Sequence, residues 1–223
     1  SSGKLVPKMR NTAGILYGIY LAMSVMLLIL LLAGGMSLFD SLINVFGTAG
    51  TGGFSNHSAS IGYYDSEYFE VILGVFMILF GVNFNLYYLI TLKKAGIALK
   101  SEELRWYLGI IAFAVITIAA NINSLYGSVH QAVRHSFFSV SSIITTTGFG
   151  TMDFDQWPQY SRIILVLLMI IGACAGSTGG GIKVSRVILL IRTAKRSMRR
   201  MIHSNSVESI RFEGRIMEED TIS

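Results

Sequence analysis

Two short segments hold the residues through which this chain could handle a bare cation. One contains Thr51, Gly52, Gly53, Phe54 and Ser55; the other contains Thr146, Thr147, Gly148, Phe149 and Gly150. Thr51 and Thr146 stand 95 positions apart, as do Gly53 and Gly148. The residues leading in align at the same offset, Leu42-Ile43-Asn44-Val45 with Phe137-Phe138-Ser139-Val140. Neither segment carries an acid, a base or a strong nucleophile, so what each offers is main-chain oxygen. A row of carbonyls aimed to one side can replace the hydration shell of an alkali ion. Glycine at the centre of such a bend admits the positive φ that it needs. The hydroxyls of Thr51, Thr146 and Thr147 would add oxygens, and Phe54 and Phe149 are expected to pack behind the bends and brace them. A shifted register is available in the first segment, where residues 48–52 read T-A-G-T-G, but the apolar alignment favours Gly53 as the central glycine.

A third cluster, Gly176, Ser177, Thr178, Gly179, Gly180, Gly181, Ile182 and Lys183, superficially resembles a phosphate-binding loop. Ile182 separates the last glycine from Lys183, no Ser or Thr follows the lysine directly, and a membrane-length apolar run precedes the cluster instead of a sheet strand. The motif requires that strand–loop–helix setting, so nucleotide binding is set aside. Glycines that interrupt an apolar helix can absorb the dihedral changes of a moving constriction, and they also permit close helix packing. His57, His130 and His135 lack metal-ligand spacing and are expected on the outer surface. Asn83, Asn85, Asn121 and Asn123 are expected to hydrogen-bond between helices. Lys183 enters the membrane from one end and can snorkel or pair within the constriction.

Composition sets the solvent. The chain is 52% apolar and 14% charged, with a formal charge of +5, and its mean hydropathy is +0.57. A soluble domain carries about 25% charged residues, so this fold must face lipid. A single cysteine, Cys174, excludes an internal disulfide framework and a cysteine-based metal cluster. The basic residues flank apolar runs, which fits membrane topology and argues against a nucleic-acid partner.

About 20 apolar residues span a bilayer as a helix. Residues 13–33 form the first such run and 68–92 the second, the latter carrying Asn83 and Asn85. Residues 104–121 begin a third, and a fourth inner helix over 160–200 is broken at 176–183. Short amphipathic runs over 38–48 and 133–144 are too short to cross, and each leads directly into a bend at 51–55 or 146–150. The fold class expected is therefore all-α integral membrane, built from repeated units of outer helix, re-entrant pore helix, filter loop and inner helix. The first unit covers 1–95 and the second 96–200, with a cytoplasmic connector over 201–223. The offset of 95 also sets Gly81-Val82-Asn83-Phe84-Asn85 opposite Gly176-Ser177-Thr178-Gly179-Gly180, a polar interruption at one depth in both inner helices. Lys4, Lys8, Arg10, Lys93, Lys94, Lys100 and Arg105 mark one side of the membrane, as do Arg192, Lys195, Arg196, Arg199 and Arg200. Asp40, Asp65, Glu67, Glu70, Asp153 and Asp155 mark the other. The positive-inside rule puts both ends of the segment in the cytoplasm and the bends outside, where the acids would enrich cations.

Three stretches, GTAGTGGFS (47–55), TTTGFGTMDF (145–154) and CAGSTGGGIKV (174–184), together resemble the Trk/Ktr/HKT superfamily of potassium transporters, most closely the TrkH type. The resemblance covers nearly the whole chain. It implies four non-identical channel-like repeats around one pore, of which this chain holds the second and third. Gly53 and Gly148 would be the central filter glycines. Thr51, Gly52 and Phe54, with Thr146, Thr147 and Phe149, would supply the neighbouring backbone sites for K⁺. Gly176 to Gly181 and Lys183 would form the gate. It further implies a homodimer in a bacterial plasma (inner) membrane that docks a cytosolic nucleotide-binding regulatory subunit of the TrkA type. No cofactor is implied, K⁺ being the transported ion, and no enzymatic chemistry. Two loops cannot close a four-sided filter, so the first and fourth repeats are expected from the same full-length protein or another chain. Na⁺ or mixed-cation transport on the same architecture, and a non-conducting membrane scaffold, are the competing functions.

Overall fold

The computed structural model describes residues 5–202, 211–212 and 215–216. Nine helices carry the described fold: α1 (Leu5–Ala33), α2 (Leu38–Ala49), α3 (Glu67–Phe80), α4 (Phe84–Thr91), α5 (Ala95–Ala98), α6 (Glu102–Tyr126), α7 (Val129–Ile144), α8 (Gln159–Ile171) and α9 (Val184–Ile202). Short 3₁₀ turns occupy Ser60–Tyr64 and Phe154–Gln156. Arg211–Phe212 pairs antiparallel with Arg215–Ile216, and most of the connector expected over 201–223 lies outside the described residues.

Among the described residues, two helices are long and apolar enough to cross a membrane, over Thr12–Ala33 and Glu102–Tyr126. Among the described side chains of α1, Leu27 and Leu31 alone are fully buried, while Leu21, Val25, Met26 and Ile29 lie open. An apolar face left bare is what lipid covers. The second outer helix is longer than residues 104–121 because Ser101 caps it early, its hydroxyl accepting the Leu104 N–H, and Gly127 in the left-handed region ends it.

The run 68–92 does not make one inner helix. It breaks at Gly81–Asn83 into α3 and α4, bent by 87°. Asn83 starts α4 by accepting the Asn85 N–H at 3.0 Å, so among the described residues this amide caps a helix and does not bond between two. The second inner helix breaks over 172–183, four residues sooner than the glycine cluster alone suggests, because Gly172 takes a φ of +73° that ends α8.

The short helices are set inside the bundle. The buried positions Ser41, Asn44, Val45 and Thr48 of α2 follow helical spacing. On α7, which starts four residues before residue 133, Ala132, Ser136, Ser139 and Val140 do the same. The hydroxyls of Thr48 and Ser141 fold back onto carbonyls one turn earlier, those of Asn44 and Phe137, both at 2.7 Å, which satisfies these two without water. Helix α7 packs between α6 and α3, and α2 between α1 and α3. Phe137 fills a notch at Gly74 of α3. A bidentate pair, Arg134 to Glu70 at 2.7 and 2.8 Å, ties the same two helices where Glu70 is 3% exposed. Phe138 and Phe149 join the core formed by α1, α2 and α3, so the halves of the chain interlock.

Candidate ion-filter and gate site

Helices α2 and α7 end in the same way. The caps Gly50 and Thr145 have φ,ψ of −82°, −2° and −83°, −3°. Thr51 and Thr146 then take positive φ, +50° and +58°, followed by Gly53 at +61° and Gly148 at +86°. The hydrogen bonds repeat one for one. Gly50 donates to Phe46 and Thr145 to Ser141; Thr51 to Thr48 and Thr146 to Ile143. Gly52 and Gly53 both donate to Gly47, as Thr147 and Gly148 both donate to Ser142. Every member of one set lies 95 positions from its counterpart. Left-handed conformations are disfavoured for threonine, so two of them in matching places mark a shape specified by surrounding contacts.

In each bend the N–H groups turn inward to the helix end, and the carbonyls are left over. Among the described residues, no hydrogen bond reaches the carbonyl oxygens of Thr51, Gly52, Gly53 and Phe54, or of Thr146, Thr147 and Gly148. The bends also touch. A methyl group added to Gly53 would land on the Thr147 carbonyl oxygen, 2.9 Å from its carbon. Above them, the Gly62 N–H donates to the Gly150 carbonyl at 3.1 Å, and Gly150 donates to the Ser60 hydroxyl at 3.3 Å.

The aromatic pair does not behave as a pair. Phe149 is 4% exposed and lies against Gly47 of α2, whereas Phe54 is 77% exposed and folds over Gly52. Phe149 therefore braces its bend from the other unit's helix, and among the described residues Phe54 finds no such seat. The threonine hydroxyls are also committed. Thr147 pairs with the Thr145 hydroxyl at 2.8 Å. Thr51 lies 2.8 Å from the Gly50 carbonyl and 2.9 Å from that of Thr178. Thr146 donates to the Thr145 carbonyl and accepts the Gly180 N–H, both at 2.6 Å.

Those last contacts set the 172–183 loop directly beside both bends. Gly172, Gly176, Gly181 and Lys183 have positive φ along it. Ser177 turns its hydroxyl onto the Cys174 carbonyl at 2.6 Å, and Lys183 donates its ammonium to the carbonyls of Gly179 and Gly180. The loop also joins the other break: Phe84 donates to the Gly176 carbonyl and Cys174 to that of Gly81, each at 3.0 Å. Peptide groups released by two broken helices thus satisfy one another, as a dry environment demands.

At the far rim, the Asp40 carboxylate accepts the Asn56 amide at 2.6 Å, and this bond, with help from Ser37 and His57, holds it below the ordinary carboxylate range. His57 stacks on Tyr63 with ring centres 3.6 Å apart. His130 pairs with Glu67 at 2.9 Å. His135 departs from the surface position expected of it: it is 8% exposed and packs on Tyr126. No group of three or more His, Cys, Asp or Glu able to hold a metal occurs among the described residues. Asn121 does join helices, accepting the Ser161 hydroxyl at 2.8 Å. Two residues that touch the breaks were not singled out in the sequence, Glu103 and Tyr107. The only hint is an acidic pair, Glu102-Glu103, within an otherwise basic stretch.

The profile of a family described as "TrkH: Cation transport protein" matches residues 1–223. The chain belongs to this TrkH family. It is 35% identical over 220 residues to the Trk system potassium uptake protein TrkH of Escherichia coli strain K12, covering 97% of this chain and 45% of that one. The Trk system potassium uptake protein TrkH of Halomonas elongata is 34% identical over 223 residues, covering 99% and 46%. Among solved structures, the potassium transporter TrkH from Vibrio parahaemolyticus superposes with a TM-score of 0.90 at 32% identity, covering 99% of this chain and 48% of that one. The chain thus spans about half the length of the TrkH relatives it matches. TrkH proteins are transporters, not enzymes, and the all-helical membrane fold is shared with them.

Proposed function

We propose that this chain forms two of four sides of a potassium pathway through the bacterial plasma (inner) membrane, as part of the pore-forming subunit of a TrkH-type uptake system. The observation that carries this is the pair of matched, touching bends in which the carbonyls of Thr51 to Phe54 and of Thr146 to Gly148 accept no hydrogen bond from the described residues. An arriving ion sheds water only if oxygens already in place replace it, and fixed carbonyls need no further reorganisation. Thr51, Gly52, Gly53 and Phe54, with Thr146, Thr147 and Gly148, supply that backbone; the carbonyl of Phe149, expected among them, instead accepts the Ser142 hydroxyl at 2.7 Å, and the threonine hydroxyls steady the bends from the side. Residues 1–95 and 96–200 act as the second and third channel-like repeats, with α2 and α7 as their re-entrant pore helices. The first and fourth come from the same full-length protein or another chain.

Gly176 to Gly181 with Lys183 act as the gate, because the loop sits against both bends and is rich in residues that tolerate rotation. Both ends of the segment are cytoplasmic, as the basic residues of α9 suggest. That face suits a regulatory subunit of the TrkA type, and the assembled protein is a homodimer. Potassium is favoured over sodium by the names of the relatives.

The full-length gene should restore growth to a potassium-uptake-deficient bacterium at low K⁺, and Gly148→Asp should abolish the rescue. Normal rescue by that variant would refute the filter assignment. Competition of Rb⁺ with Na⁺ in the same cells separates a potassium pathway from a mixed one.

A further inference from the structure

The two ends of the 172–183 loop converge on one buried carboxylate. Glu103, in the first turn of α6, is 4% exposed. Its Oε1 accepts the Ala175 N–H at 2.7 Å and the Ser185 N–H at 3.3 Å. Ala175 stands near the entry of the loop, and Ser185 lies in the first turn of α9 just past its exit. Between these points lie Thr178, Gly179 and Gly180, the residues that reach Thr51, Thr145 and Thr146.

A carboxylate is removed from water only where donors repay the loss, and bonds to an ionised acceptor are about twice as strong as neutral ones. Glu103 also sits at the N-terminal ends of both α6 and α9, where the helix dipoles favour negative charge. One turn along the same face, Tyr107 is fully buried and donates to the Ile78 carbonyl at 3.2 Å, its hydroxyl lying against Gly81. A single face of α6 therefore grips both broken inner helices. Beside the loop lies a cleft of about 470 Å³, bordered by Tyr17, Tyr20, Phe84, Gly176, Ser177 and Thr178, into which a released loop can move.

We propose that Glu103 is the positioning residue of the gate: it clamps both ends of the loop to α6 and keeps the loop seated against the filter bends. This rests on the loop being the gate, so the test separates the two. Cys174 is fully buried and adjacent to Ala175, which makes it a native reporter. In the reconstituted full-length protein, N-ethylmaleimide labelling of Cys174 is followed on its own peptide by mass spectrometry, and Rb⁺ flux is measured in parallel. Glu103→Ala should speed labelling about tenfold, as expected for a local opening freed of two charge-assisted bonds. Basal Rb⁺ flux should rise with it, at unchanged preference for Rb⁺ over Na⁺. Glu103→Gln keeps the volume and one acceptor oxygen, should fall between, and is the variant to use if Glu103→Ala does not fold. Unchanged Cys174 labelling in a folded variant overturns the clamp. Faster labelling without a rise in flux, in a protein whose wild type conducts, overturns its role in gating. A wild type that conducts nothing counts against the filter, and the labelling comparison still decides the clamp.

Discussion

Adding one methyl group to each central glycine should give two different defects. Gly53 and Gly148 both hold positive φ, so alanine at either position carries a backbone cost of about 1–2 kcal/mol. Beyond that the positions diverge. Around Gly148 an added Cβ meets nothing within 4 Å; at Gly53 it strikes the Thr147 carbonyl, lying 2.9 Å from its carbon and 3.1 Å from that of Gly148. Carbon atoms rest at about 3.5–4.0 Å, so the two bends must part by roughly 1 Å. That displacement falls on the carbonyls that would hold the ion. Gly148→Ala should lower yield and melting temperature with a near-normal ratio of Rb⁺ to Na⁺ flux. Gly53→Ala should reduce Rb⁺ flux by a further factor of about ten, equivalent to about 1.4 kcal/mol, and bring the ratio towards one. The assay is paired radiotracer uptake into liposomes containing the full-length protein, with gel filtration as the folding control. Equal losses for the two variants, or a normal ratio for Gly53→Ala, would refute the idea that the bends meet through bare backbone.

Other perturbations follow from contacts at a distance from the bends. Breaking the buried Arg134–Glu70 pair from one side, by Arg134→Leu, should cost about 3–5 kcal/mol, seen as a fall in melting temperature, and the Glu70→Leu/Arg134→Leu double variant should recover most of it. Gly81→Ala should destabilise the bend between α3 and α4, with Tyr107→Phe partly rescuing it because the Tyr107 hydroxyl occupies that space; a double-mutant cycle without coupling would contradict this. Thr146→Val removes both the acceptor for the Gly180 N–H and the donor to the Thr145 carbonyl, and should raise hydrogen exchange at Gly180 several-fold. Asp40 is held below its ordinary range chiefly by Asn56. Its contribution is therefore present above the unfolded pKa and disappears as pH falls through the folded one. The protection factors of the amides at 55–58, taken relative to intrinsic exchange at each pH, should fall on acidification, and Asn56→Ala should move that transition to higher pH.

Much of the architecture could be anticipated from local pattern. The apolar runs of α1 and α6 announce themselves by length, and the 95-residue offset aligns Thr51 with Thr146 and Gly53 with Gly148, whose backbones then adopt matching dihedrals. What stayed hidden depends on distant partners. The sequence shows a polar interruption at 81–85 within the run 68–92, but hydropathy is blind to the bonds from Phe84 to Gly176 and from Cys174 to Gly81 that turn it into a sharp bend. Phe54 and Phe149 are the same residue in the same motif, yet burial separates them, since Gly47 offers a seat to only one. Glu103 resembles a surface acid among lysines until the loop folds over it. His135 likewise is drawn inside by α7 packing between two other helices.

The seating of Phe149 against Gly47 makes the firmness of one bend depend on the helix that leads into the other. In the proposed potassium pathway, damage to α2 near Gly47 would then blur ion discrimination at Gly148, in the other bend, before it disturbed the bend that α2 itself leads into.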